Sequence, residues 1–376
     1  MENFQEKKLF TPGPLGVSSD VKKAMQRDLG SRDTEFIVIV KEVREEILKI
    51  AEASAEIYTT ILLQGSGTYA VESVFQTLQP AGNGKVLIIS NGSYGNRMKK
   101  ICEIAKIPAV TLQFSEESEI QLSVVERELR CNPSYPLVAM VHCETSSGII
   151  NPIEKVGALV KSMLPGATFF VDAMSSFGAI PIDFEAGCVD FLVTSANKCL
   201  QGVPGFGVVI AKKSVLMQCQ GRSRSLSLDL VDQLEGLEGN GQFRFTPPTH
   251  ALLALRKALW ELAAEGGVCG RRERYRKNSV IIQEGMRALG FKTLLPHQKL
   301  SIIITSFLYP KHPNFKFEEF YQMLSNQGQL IYPGKVTKSD SFRIGSIGDL
   351  FPRDMEHLLK CIEKTLLKMK IPIPVE

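Results

Sequence analysis

Seven short apolar runs, most of them separated by amphipathic stretches of helical length, fill the chain between residues 58 and 211. Each run is rich in Val, Ile and Leu and is apolar throughout rather than at alternate positions, which is typical of strands buried on both faces. Strands that alternate with helices indicate a parallel sheet covered by helices on both sides. The predicted strands are 58–63, 85–90, 109–114, 137–142, 168–172, 190–194 and 206–210.

The segments on either side of this region have a different pattern. Upstream, residues 17–29 and 35–53 are predicted as helices, with Ser18 or Ser19 and Thr34 as candidate N-caps. Downstream, the predicted helices and strands are, in chain order, a helix from the Pro-Pro pair at 247–248 to 264, a helix at 271–289, a strand at 302–307, a helix at 317–325, strands at 330–332 and 342–344, and a helix at 353–369.

This arrangement predicts an α/β fold. A large domain carries a mostly parallel sheet with helices on both faces, and a smaller α+β domain follows it. We expect the N-terminal arm and the large domain to occupy residues 1–265, and the small domain to occupy residues 266–376. A chain of 376 residues is long enough for two domains of ordinary size.

Composition narrows the possible functions. Lys and Arg number 44 against 40 Asp and Glu, and the net charge of +4 is too small and too dispersed for a nucleic-acid-binding face. The densest basic cluster, residues 271–277, contains a glutamate and falls in a helical pattern, which favours a solvated helix face. We therefore expect no nucleic-acid partner.

Eight cysteines without a CxxC pair indicate reduced thiols, as in cytosolic proteins, rather than a disulfide framework. The first residues lack the apolar segment of a signal peptide, and no apolar run approaches the roughly 18 residues that span a bilayer. We expect a cytoplasmic protein that has no contact with a membrane.

A glycine-rich loop, Gln64–Ala70, follows the first predicted strand and opens a helix. It fits the G-x-G-x-x-A pattern of dinucleotide sites, which also require an acidic residue at the end of the next strand. That strand ends in Ser-Asn-Gly at 90–92, without an acid. The remaining features, a helix N-terminus with free N–H groups and the hydroxyls of Ser66 and Thr68, suit a single phosphate monoester. Considered alone, the loop fits a tight turn without a ligand equally well.

Two chemically active side chains stand at the ends of later strands. Asp172 ends the strand at 168–172, and Lys198 follows the strand at 190–194. Ligands of open parallel sheets bind beyond the carboxyl ends of the strands, so both groups are expected at the same crevice. Taken alone, Asp172 is more typical of a cap and Lys198 of a solvated side chain, but their coincidence with a phosphate site changes that balance.

Pyridoxal phosphate requires three groups of this kind. A phosphate site anchors one end, a carboxylate pairs with the pyridinium nitrogen, and a lysine amine forms a Schiff base and later moves a proton. Free lysine is mostly protonated near neutrality, so burial and the cofactor must lower its pKa. Tyr94 follows another strand end and is a candidate to stack on the pyridine ring, although an ordinary helix-start aromatic fits its position equally well.

These residues lie within motifs that resemble the 2-aminoethylphosphonate–pyruvate transaminases. This is a group of fold-type-I aminotransferases close to the alanine–glyoxylate and serine–pyruvate enzymes. The resemblance runs from Thr-Pro-Gly-Pro at 11–14 to Phe-Arg-Ile-Gly at 342–345 and covers nearly the whole chain. The stretches that carry it most specifically are 62–67 (LLQGSG), 171–178 (VDAMSSFG), 195–206 (SANKCLQGVPGF), 223–230 (SRSLSLDL) and 331–335 (IYPGK).

The resemblance implies an enzyme that transfers the amino group of 2-aminoethylphosphonate to pyruvate with pyridoxal 5'-phosphate as cofactor. It implies that Lys198 is the Schiff-base lysine and that Asp172 is the partner of the pyridinium nitrogen. It further implies that Ser66, Gly67 and Thr68 hold the phosphate of the cofactor.

The resemblance also implies roles outside these loops. Tyr94 is expected to stack on the cofactor ring, and Thr246 to reach the phosphate of the neighbouring subunit's cofactor in a homodimer. Arg343 resembles the carboxylate clamp of the family, and a planar guanidinium is the natural bidentate partner of a carboxylate, although a structural salt bridge is the alternative. Arg222 and Arg224 are further candidates to bind the phosphonate.

Several alternatives stay open from the sequence. A serine–pyruvate or alanine–glyoxylate transaminase shares the same site residues, whereas an oxidoreductase rests on the glycine loop alone, and a non-catalytic binding protein does not explain Lys198. A desulfurase rests on Cys199, which is tethered beside Lys198 rather than carried on a mobile loop. His142 resembles a metal ligand, but no second histidine stands at helical spacing, so we expect no metal and a histidine that lies near the cofactor.

Overall fold

A computed structural model describes residues 6–335 and 339–375 of the chain. Its strands, numbered in chain order, are β1 (Lys8–Leu9), β2 (Tyr58–Gly65), β3 (Val86–Ser90), β4 (Ala109–Gln113), β5 (Leu137–Val141), β6 (Cys143–Glu144), β7 (Ile149–Ile150), β8 (Thr168–Asp172), β9 (Phe191–Ser195), β10 (Gly205–Lys212), β11 (Ile304–Leu308), β12 (Gln329–Leu330), β13 (Tyr332–Pro333) and β14 (Ser341–Gly345). Its helices are α1 (Ser19–Ala24), α2 (Thr34–Ile50), α3 (Gly67–Thr77), α4 (Ser93–Ile104), α5 (Leu122–Cys131), α6 (Ile153–Met163), α7 (Lys213–Leu216), α8 (Leu230–Gly239), α9 (Thr249–Ala264), α10 (Gly267–Ala288), α11 (Phe317–Asn326) and α12 (Pro352–Lys368). None of these described helices has both the length and the apolar character needed to cross a membrane.

Seven strands form one large sheet in the order β2-β10-β9-β8-β5-β3-β4. All of them run in the same direction except β10, which is antiparallel to both of its neighbours. Every residue of β3, β5 and β9 is buried, so both faces of the sheet are covered, and α3, α4 and α6 are among the helices that pack on it. The seven predicted strands are confirmed, with ends that differ by at most two residues.

The connection between β9 and β10 explains why one strand is reversed. It spans only residues 196–204, whereas a return to a parallel strand needs a crossover of about a dozen residues or more. The chain therefore turns back directly and pairs antiparallel with β9. This short connection carries Lys198 at the edge of the sheet where β9 ends.

The starts and ends of the first two helices correct the sequence analysis. α1 ends five residues earlier than predicted, because Gln-Arg-Asp at 26–28 interrupts its apolar face. Ser18 is its N-cap, which was one of the two candidates. The N-cap of α2 is Asp33 rather than Thr34, since the Asp33 carboxylate accepts a hydrogen bond from the Glu35 amide at 2.8 Å.

The C-terminal part of the chain contains a three-stranded antiparallel sheet, β11-β14-β13, with α10, α11 and α12 beside it. The predicted strand at 330–332 is in fact two short strands, β12 and β13, which pair with β1 and β14 respectively. The core is aromatic, and Phe342 has its ring centroid within 6.5 Å of those of Phe291, Phe307, Tyr309, Phe315, Phe317 and Phe320.

The N-terminal arm belongs structurally with this C-terminal part. β1 pairs in parallel with β12, and Phe10 is buried in the aromatic core. The core of the large sheet, in contrast, draws its buried residues from positions 36–262. The domain boundary at residue 265 stays a prediction. The N-terminal arm, which was expected to belong to the large domain, packs with the C-terminal part.

The basic cluster at residues 271–277 is only partly a solvated face. Arg271 is 1% exposed, and it donates to Glu265 Oε2 and to the Cys199 carbonyl oxygen, both at 2.6 Å. Arg272 and Lys277, on the opposite face of α10, are exposed as expected. The buried arginine thus fixes the backbone immediately after Lys198.

Candidate active site

The carboxyl ends of the parallel strands meet at one edge of the large sheet. β2 ends at Gly65, β3 at Ser90, β5 at Val141, β8 at Asp172 and β9 at Ser195. Because these strands are parallel, the loops that follow them lie at the same edge. This topology brings together side chains that are more than a hundred residues apart in sequence.

Lys198 is half-buried in the connection between β9 and β10. Its Nζ donates a hydrogen bond to the Pro12 carbonyl oxygen at 2.7 Å. Gly13 has a φ of +116°, and a Cβ there would lie 2.6 Å from Lys198 Cδ, so only glycine allows the arm to pass this close. Burial lowers the pKa of Lys198, and Arg343 adds to the effect against the opposing influence of Tyr94. The amine is therefore closer to the unprotonated form that acts as nucleophile and base.

Asp172 lies at the end of β8 and is 5% exposed. Its Oδ1 accepts a hydrogen bond from the Met174 amide at 2.9 Å. Burial raises the pKa of Asp172 to about 6; the Met174 amide, Arg97 and Lys198 oppose this rise, and Glu144 adds to it. Within residues 6–335 and 339–375 the carboxylate forms no ion pair closer than 4.0 Å. A buried carboxylate in this state favours a cationic ligand.

The glycine-rich loop forms the N-terminus of α3. Ser66 is the N-cap residue, but its side chain makes no capping hydrogen bond and is exposed. Thr68 Oγ1 accepts a hydrogen bond from Arg97 Nη1 at 3.1 Å. A Cβ on Gly67 would lie 2.2 Å from the Met174 thioether, so a larger residue here would displace the end of the Met174 side chain. The loop offers two hydroxyls, a helix N-terminus and a nearby guanidinium to an anion.

Tyr94 lies in the first turn of α4, where its ring is near two cations. Lys335 Nζ is 4.1 Å and Arg97 Cζ is 4.8 Å from the ring centroid. Burial alone would raise the pKa of Tyr94, but the charges of Lys335 and Lys198 oppose this and the net shift is downward. The ring therefore packs against the apolar core of the large sheet and is approached by these two cations.

Arg343 lies on β14 and is 2% exposed. Its Nε donates to the Pro333 carbonyl oxygen at 2.9 Å and its Nη1 to the Thr145 carbonyl oxygen at 2.8 Å. Burial lowers the pKa of Arg343, and no carboxylate of the described residues lies within 4.0 Å of its guanidinium. The alternative of a structural salt bridge is therefore not found in this part of the chain. A fixed, buried guanidinium without an acidic partner is suited to bind the carboxylate of a ligand.

Thr246 is exposed. Gln64 Nε2 donates to the backbone carbonyl oxygens of Phe245 at 2.7 Å and of Thr246 at 3.4 Å. This holds the segment on the surface beside the glycine-rich loop. The role expected for Thr246 in a neighbouring subunit stays a prediction.

Arg222 and Arg224 lie on the surface, away from the group around Tyr94. Arg224 donates to the carbonyl oxygen of Ala105, just beyond the C-terminal end of α4. Tyr94 is at the opposite end of that helix, about 18 Å away for 12 residues. Within one chain, Arg224 therefore does not reach the position next to Lys198.

The family model of the class-V aminotransferases matches residues 17–337 of the chain. The chain belongs to the class-V aminotransferase family. It is 50% identical to a 2-aminoethylphosphonate–pyruvate transaminase of Syntrophobacter fumaroxidans, over 95% of this chain and 96% of the relative. It is 48% identical to a transaminase of the same name from Phocaeicola vulgatus, over 96% of this chain and 99% of the relative. The resemblance predicted from the motifs is confirmed.

Among solved structures, this class-V aminotransferase is similar to the ureidoglycine–glyoxylate aminotransferase of Bacillus subtilis. The TM-score is 0.88 at 22% identity, over 98% of this chain and 95% of the other. At this level of identity the comparison bears on the fold alone. It confirms the predicted fold class, the α/β architecture of the fold-type-I aminotransferases.

The residues of this class-V aminotransferase fit pyridoxal phosphate. Ser195 Oγ is buried without a hydrogen-bond partner among the described residues, and a Cβ on Gly67 would lie 3.4 Å from the Ser195 Cβ. The Ser66 hydroxyl is also uncommitted to a cap. Asp172 offers an unpaired buried carboxylate, and Lys198 offers an amine with a lowered pKa. Groups suited to a phosphate, a pyridinium nitrogen and an aldehyde are therefore all present.

Cys199 and His142 are both buried in this aminotransferase, and their surroundings indicate a structural role for each. Burial raises the pKa of the Cys199 thiol to about 12, so it stays protonated and does not act as the nucleophile that a desulfurase needs. Burial lowers the pKa of His142 to about 4, and its Nδ1 forms a hydrogen bond with Ser176 Oγ at 2.9 Å. Neutral His142 lies next to the end of β5, at the edge of the site.

The sequence analysis missed several residues that complete the site. Pro12 and Gly13 belong to the Thr-Pro-Gly-Pro motif, which indicated the family but not a contact with the lysine. Glu144 lies two residues after His142, and the sequence analysis considered only the histidine. Arg97 gave no signal, because a lone arginine on a helix is usually solvated. Lys335 was part of the Ile-Tyr-Pro-Gly-Lys motif, whose terminal lysine had no assigned role.

Proposed function

We propose that this chain transfers the amino group of 2-aminoethylphosphonate to pyruvate, giving phosphonoacetaldehyde and alanine, with pyridoxal 5'-phosphate as cofactor. Such a reaction belongs to the degradation of phosphonates. The observation that carries the proposal is the 48–50% identity, over 95–96% of the chain, to transaminases of that name. The convergence of Lys198, Asp172 and Arg343 at one edge of the sheet supports it independently of the relatives.

The cofactor would be held by residues of four loops. Ser66, Gly67 and Thr68 would bind its phosphate at the N-terminus of α3, Asp172 would pair with its ring nitrogen, and Lys198 would hold its aldehyde carbon. Tyr94 would stack on the ring. When bound, pyridoxal phosphate supplies a ring that accepts the electron pair left when the donor carbon loses its proton.

The side chains of the protein provide binding and proton transfer. Arg343 binds the acidic head of each substrate, and the carbonyl groups of Pro333 and Thr145 keep its guanidinium in one orientation. Lys198 would move the proton from the carbon that bears the amino group to the cofactor in one half of the reaction, and in the reverse direction in the other half. Asp172 stays ionised next to the ring nitrogen and keeps that nitrogen protonated.

We further propose a homodimer and a cytoplasmic location. Tyr69, Leu226 and Phe245 are large apolar side chains that lie exposed; Tyr69 belongs to the glycine-rich loop and Phe245 lies beside it. A second subunit that covers this surface would bring its own Thr246 near the phosphate site. All eight cysteines are free, which fits a reducing compartment.

A comparison of amino donors tests the proposed activity. Purified protein loaded with pyridoxal phosphate is mixed with one amino donor and one acceptor. The donor is 2-aminoethylphosphonate, serine or alanine, and the acceptor is pyruvate or glyoxylate. We expect alanine and phosphonoacetaldehyde to form in equal amounts from the phosphonate. ³¹P NMR and amino-acid analysis measure the two products. If serine or alanine reacts with glyoxylate while the phosphonate does not react, the alternative transaminase is the correct assignment.

A further inference from the structure

Two cations from the C-terminal part of the chain meet at Tyr94. Lys335 Nζ lies 4.1 Å from the centre of the Tyr94 ring, and the Arg343 guanidinium acts on the same side chain from β14. Neither cation forms an ion pair with a carboxylate within residues 6–335 and 339–375. Arg343 also acts electrostatically on Lys198. Two basic groups without an acidic partner, next to the lysine that carries the chemistry, are arranged to bind an anion.

The position of Lys335 follows from a fixed backbone. The Gly334 amide donates to the Ser341 carbonyl oxygen at 2.9 Å, and a Cβ on Gly334 would lie 2.3 Å from that oxygen. The turn after β13 therefore passes directly against β14, the strand that carries Arg343. Ser93 Oγ donates to the Lys335 carbonyl oxygen at 3.4 Å, which ties Lys335 to the first turn of α4.

The two substrates differ in what they require from such a site. Pyruvate and alanine carry a planar carboxylate with one charge on the carbon next to the reacting carbon, and one guanidinium satisfies it. The phosphonate is tetrahedral, carries up to two charges and lies one carbon further from the reacting carbon. A single planar guanidinium leaves part of that charge and at least one oxygen unpaired.

We propose that Lys335 is a second cation of the donor site, which binds the phosphonate head together with Arg343, whereas Arg343 alone holds the carboxylate of pyruvate or alanine. This inference rests on the proposed function, because it concerns the same site. It assigns the selectivity for a phosphonate donor to a lysine that follows β13.

Two other cations, Arg97 and Arg224, contact different parts of the chain. Arg97 donates to Thr68 of the glycine-rich loop and acts on Asp172, which places it at the end of the site that suits the cofactor. Arg224 is held at the far end of α4. Among the described residues, Lys335 is therefore a cation that adjoins Arg343 and is not engaged with the glycine-rich loop.

The test compares two ligands that lack the amino group and do not react. Ethylphosphonate and propionate have the same two-carbon tail and differ in their acidic head. Their dissociation constants are measured by calorimetry on the cofactor-loaded wild-type protein, on Lys335→Met, which keeps most of the side-chain length without the charge, and on Lys99→Met. Lys99 is exposed on α4 and is the matched control.

We expect Lys335→Met to weaken ethylphosphonate by about ten- to a hundredfold, because it removes one charge-assisted contact, and propionate by less than about threefold. The loss should increase as the pH rises and the phosphonate becomes a dianion, which a structural role would not produce. Lys99→Met should leave both constants unchanged. Equal weakening of both ligands, or of neither, overturns the inference.

The experiment distinguishes a wrong role for Lys335 from a wrong proposed function. If wild-type protein binds propionate but neither binds ethylphosphonate nor reacts with 2-aminoethylphosphonate, the proposed function itself is wrong. If wild-type protein reacts with the phosphonate and Lys335→Met reacts equally well, only the role of Lys335 is wrong. Circular dichroism and the visible absorption of the bound cofactor show whether the variant is folded and loaded.

Discussion

Lys198 and Asp172 have pKa values displaced in opposite directions by the same cause, the loss of water around each group. Burial raises the pKa of Asp172 to about 6 and lowers that of Lys198, so both change charge nearer to neutrality than free side chains do. Such displacement is typical of groups that take part in a reaction. It gives the two residues measurable signatures beyond activity.

Replacing Asp172 by Asn is expected to stabilise the cofactor-free protein at neutral pH. Because the folded pKa of about 6 exceeds that of an unfolded aspartate, the ionised carboxylate reduces stability increasingly as the pH rises from about 4 through 6. Above that window the cost is on the order of 3 kcal/mol. Urea unfolding of cofactor-free wild-type and variant protein across this range measures the difference, and a difference that does not depend on pH would contradict the assignment.

The same replacement is expected to impair the loaded enzyme. Without a carboxylate partner the ring nitrogen loses its proton, and transition-state stabilisation should fall by several kcal/mol. Steady-state rates with 2-aminoethylphosphonate and pyruvate measure this loss. A rate near that of wild-type protein would remove Asp172 from the mechanism.

Replacing Arg343 by Ala should weaken both halves of the reaction. It removes a charge-assisted pair worth about 1.5–3 kcal/mol, so the pyruvate and alanine half should weaken by about tenfold to a few hundredfold. The phosphonate half should also weaken, since the guanidinium would bind each substrate in turn. Single-turnover spectra with each substrate alone separate the halves. If neither half changes, the clamp assignment is wrong.

The placement of individual residues was predictable where a motif and a strand end coincide. Asp172 and Lys198 were expected at one edge of the sheet because topology places strand ends there, and their roles stay predictions. Glu144 and Lys335 were not found, because their roles depend on contacts with Tyr94, which no local pattern encodes. The sequence also named Arg224 as a candidate cation. The spacing of residues does not reveal that Arg224 contacts the C-terminal end of α4, whereas Tyr94 lies at the opposite end of that helix.

At the scale of elements, the N-terminus of α4 is held by a buried carboxylate. Glu144 Oε2 accepts hydrogen bonds from the amides of Tyr94 at 3.0 Å and Gly95 at 3.3 Å. Its Oε1 accepts from the amide of Ser146 at 3.2 Å and from the Ser146 hydroxyl at 2.6 Å. One side chain thus joins the helix that carries Tyr94 to the loop that carries Thr145, whose carbonyl oxygen binds Arg343.

Replacing Glu144 by Gln is expected to destabilise the protein by about 1–3 kcal/mol, because the amide group of Gln would face N–H donors and leave them unpaired. Denaturant unfolding measures the free energy of unfolding. Glu319→Gln, in the exposed first turn of α11, is the matched control and should stay within about 0.5 kcal/mol of wild-type protein. Equal effects of the two substitutions would show that the buried network contributes nothing.

The strands were more predictable than the helix ends. Each strand of the large sheet is buried on both faces, so its apolar run marks it directly. The end of α1 and the N-cap of α2 depend on which of several neighbouring polar residues forms the cap, and the sequence offers more than one candidate. The division of 330–332 into β12 and β13 depends on partners in two different sheets, which no local pattern reports.

At the scale of the whole molecule, the proposed homodimer makes a prediction about shared sites. If Thr246 serves the neighbouring subunit's phosphate site, Thr246→Glu and Lys198→Ala should each be inactive, because one repels the phosphate and the other lacks the amine. A hybrid dimer of the two variants would contain one intact site. Dissociating and reassociating an equal mixture should therefore restore about a quarter of the wild-type activity, from random pairing.

A mixture that stays inactive would contradict this prediction. That result is expected if Thr246 serves the site of its own chain, because one site of each hybrid dimer then lacks the amine and the other carries the Glu substitution. Sedimentation velocity on each preparation establishes that dimers have formed, with a mass of twice the 41.6 kDa of one chain. A mixture of two Lys198→Ala preparations is the control and should not recover.

We propose that the chain transfers the amino group of a phosphonate donor to pyruvate through pyridoxal phosphate held by Lys198, and one absorption experiment tests this most directly. Loaded protein should show a visible band that disappears with 2-aminoethylphosphonate alone and returns when pyruvate is added, and borohydride should fix the cofactor to Lys198 in a peptide identified by mass spectrometry. Lys198→Ala should bind cofactor through its phosphate but show neither the cycle nor the modified peptide. A protein that stays colourless with added pyridoxal phosphate, or a band that 2-aminoethylphosphonate leaves unchanged, would contradict the account.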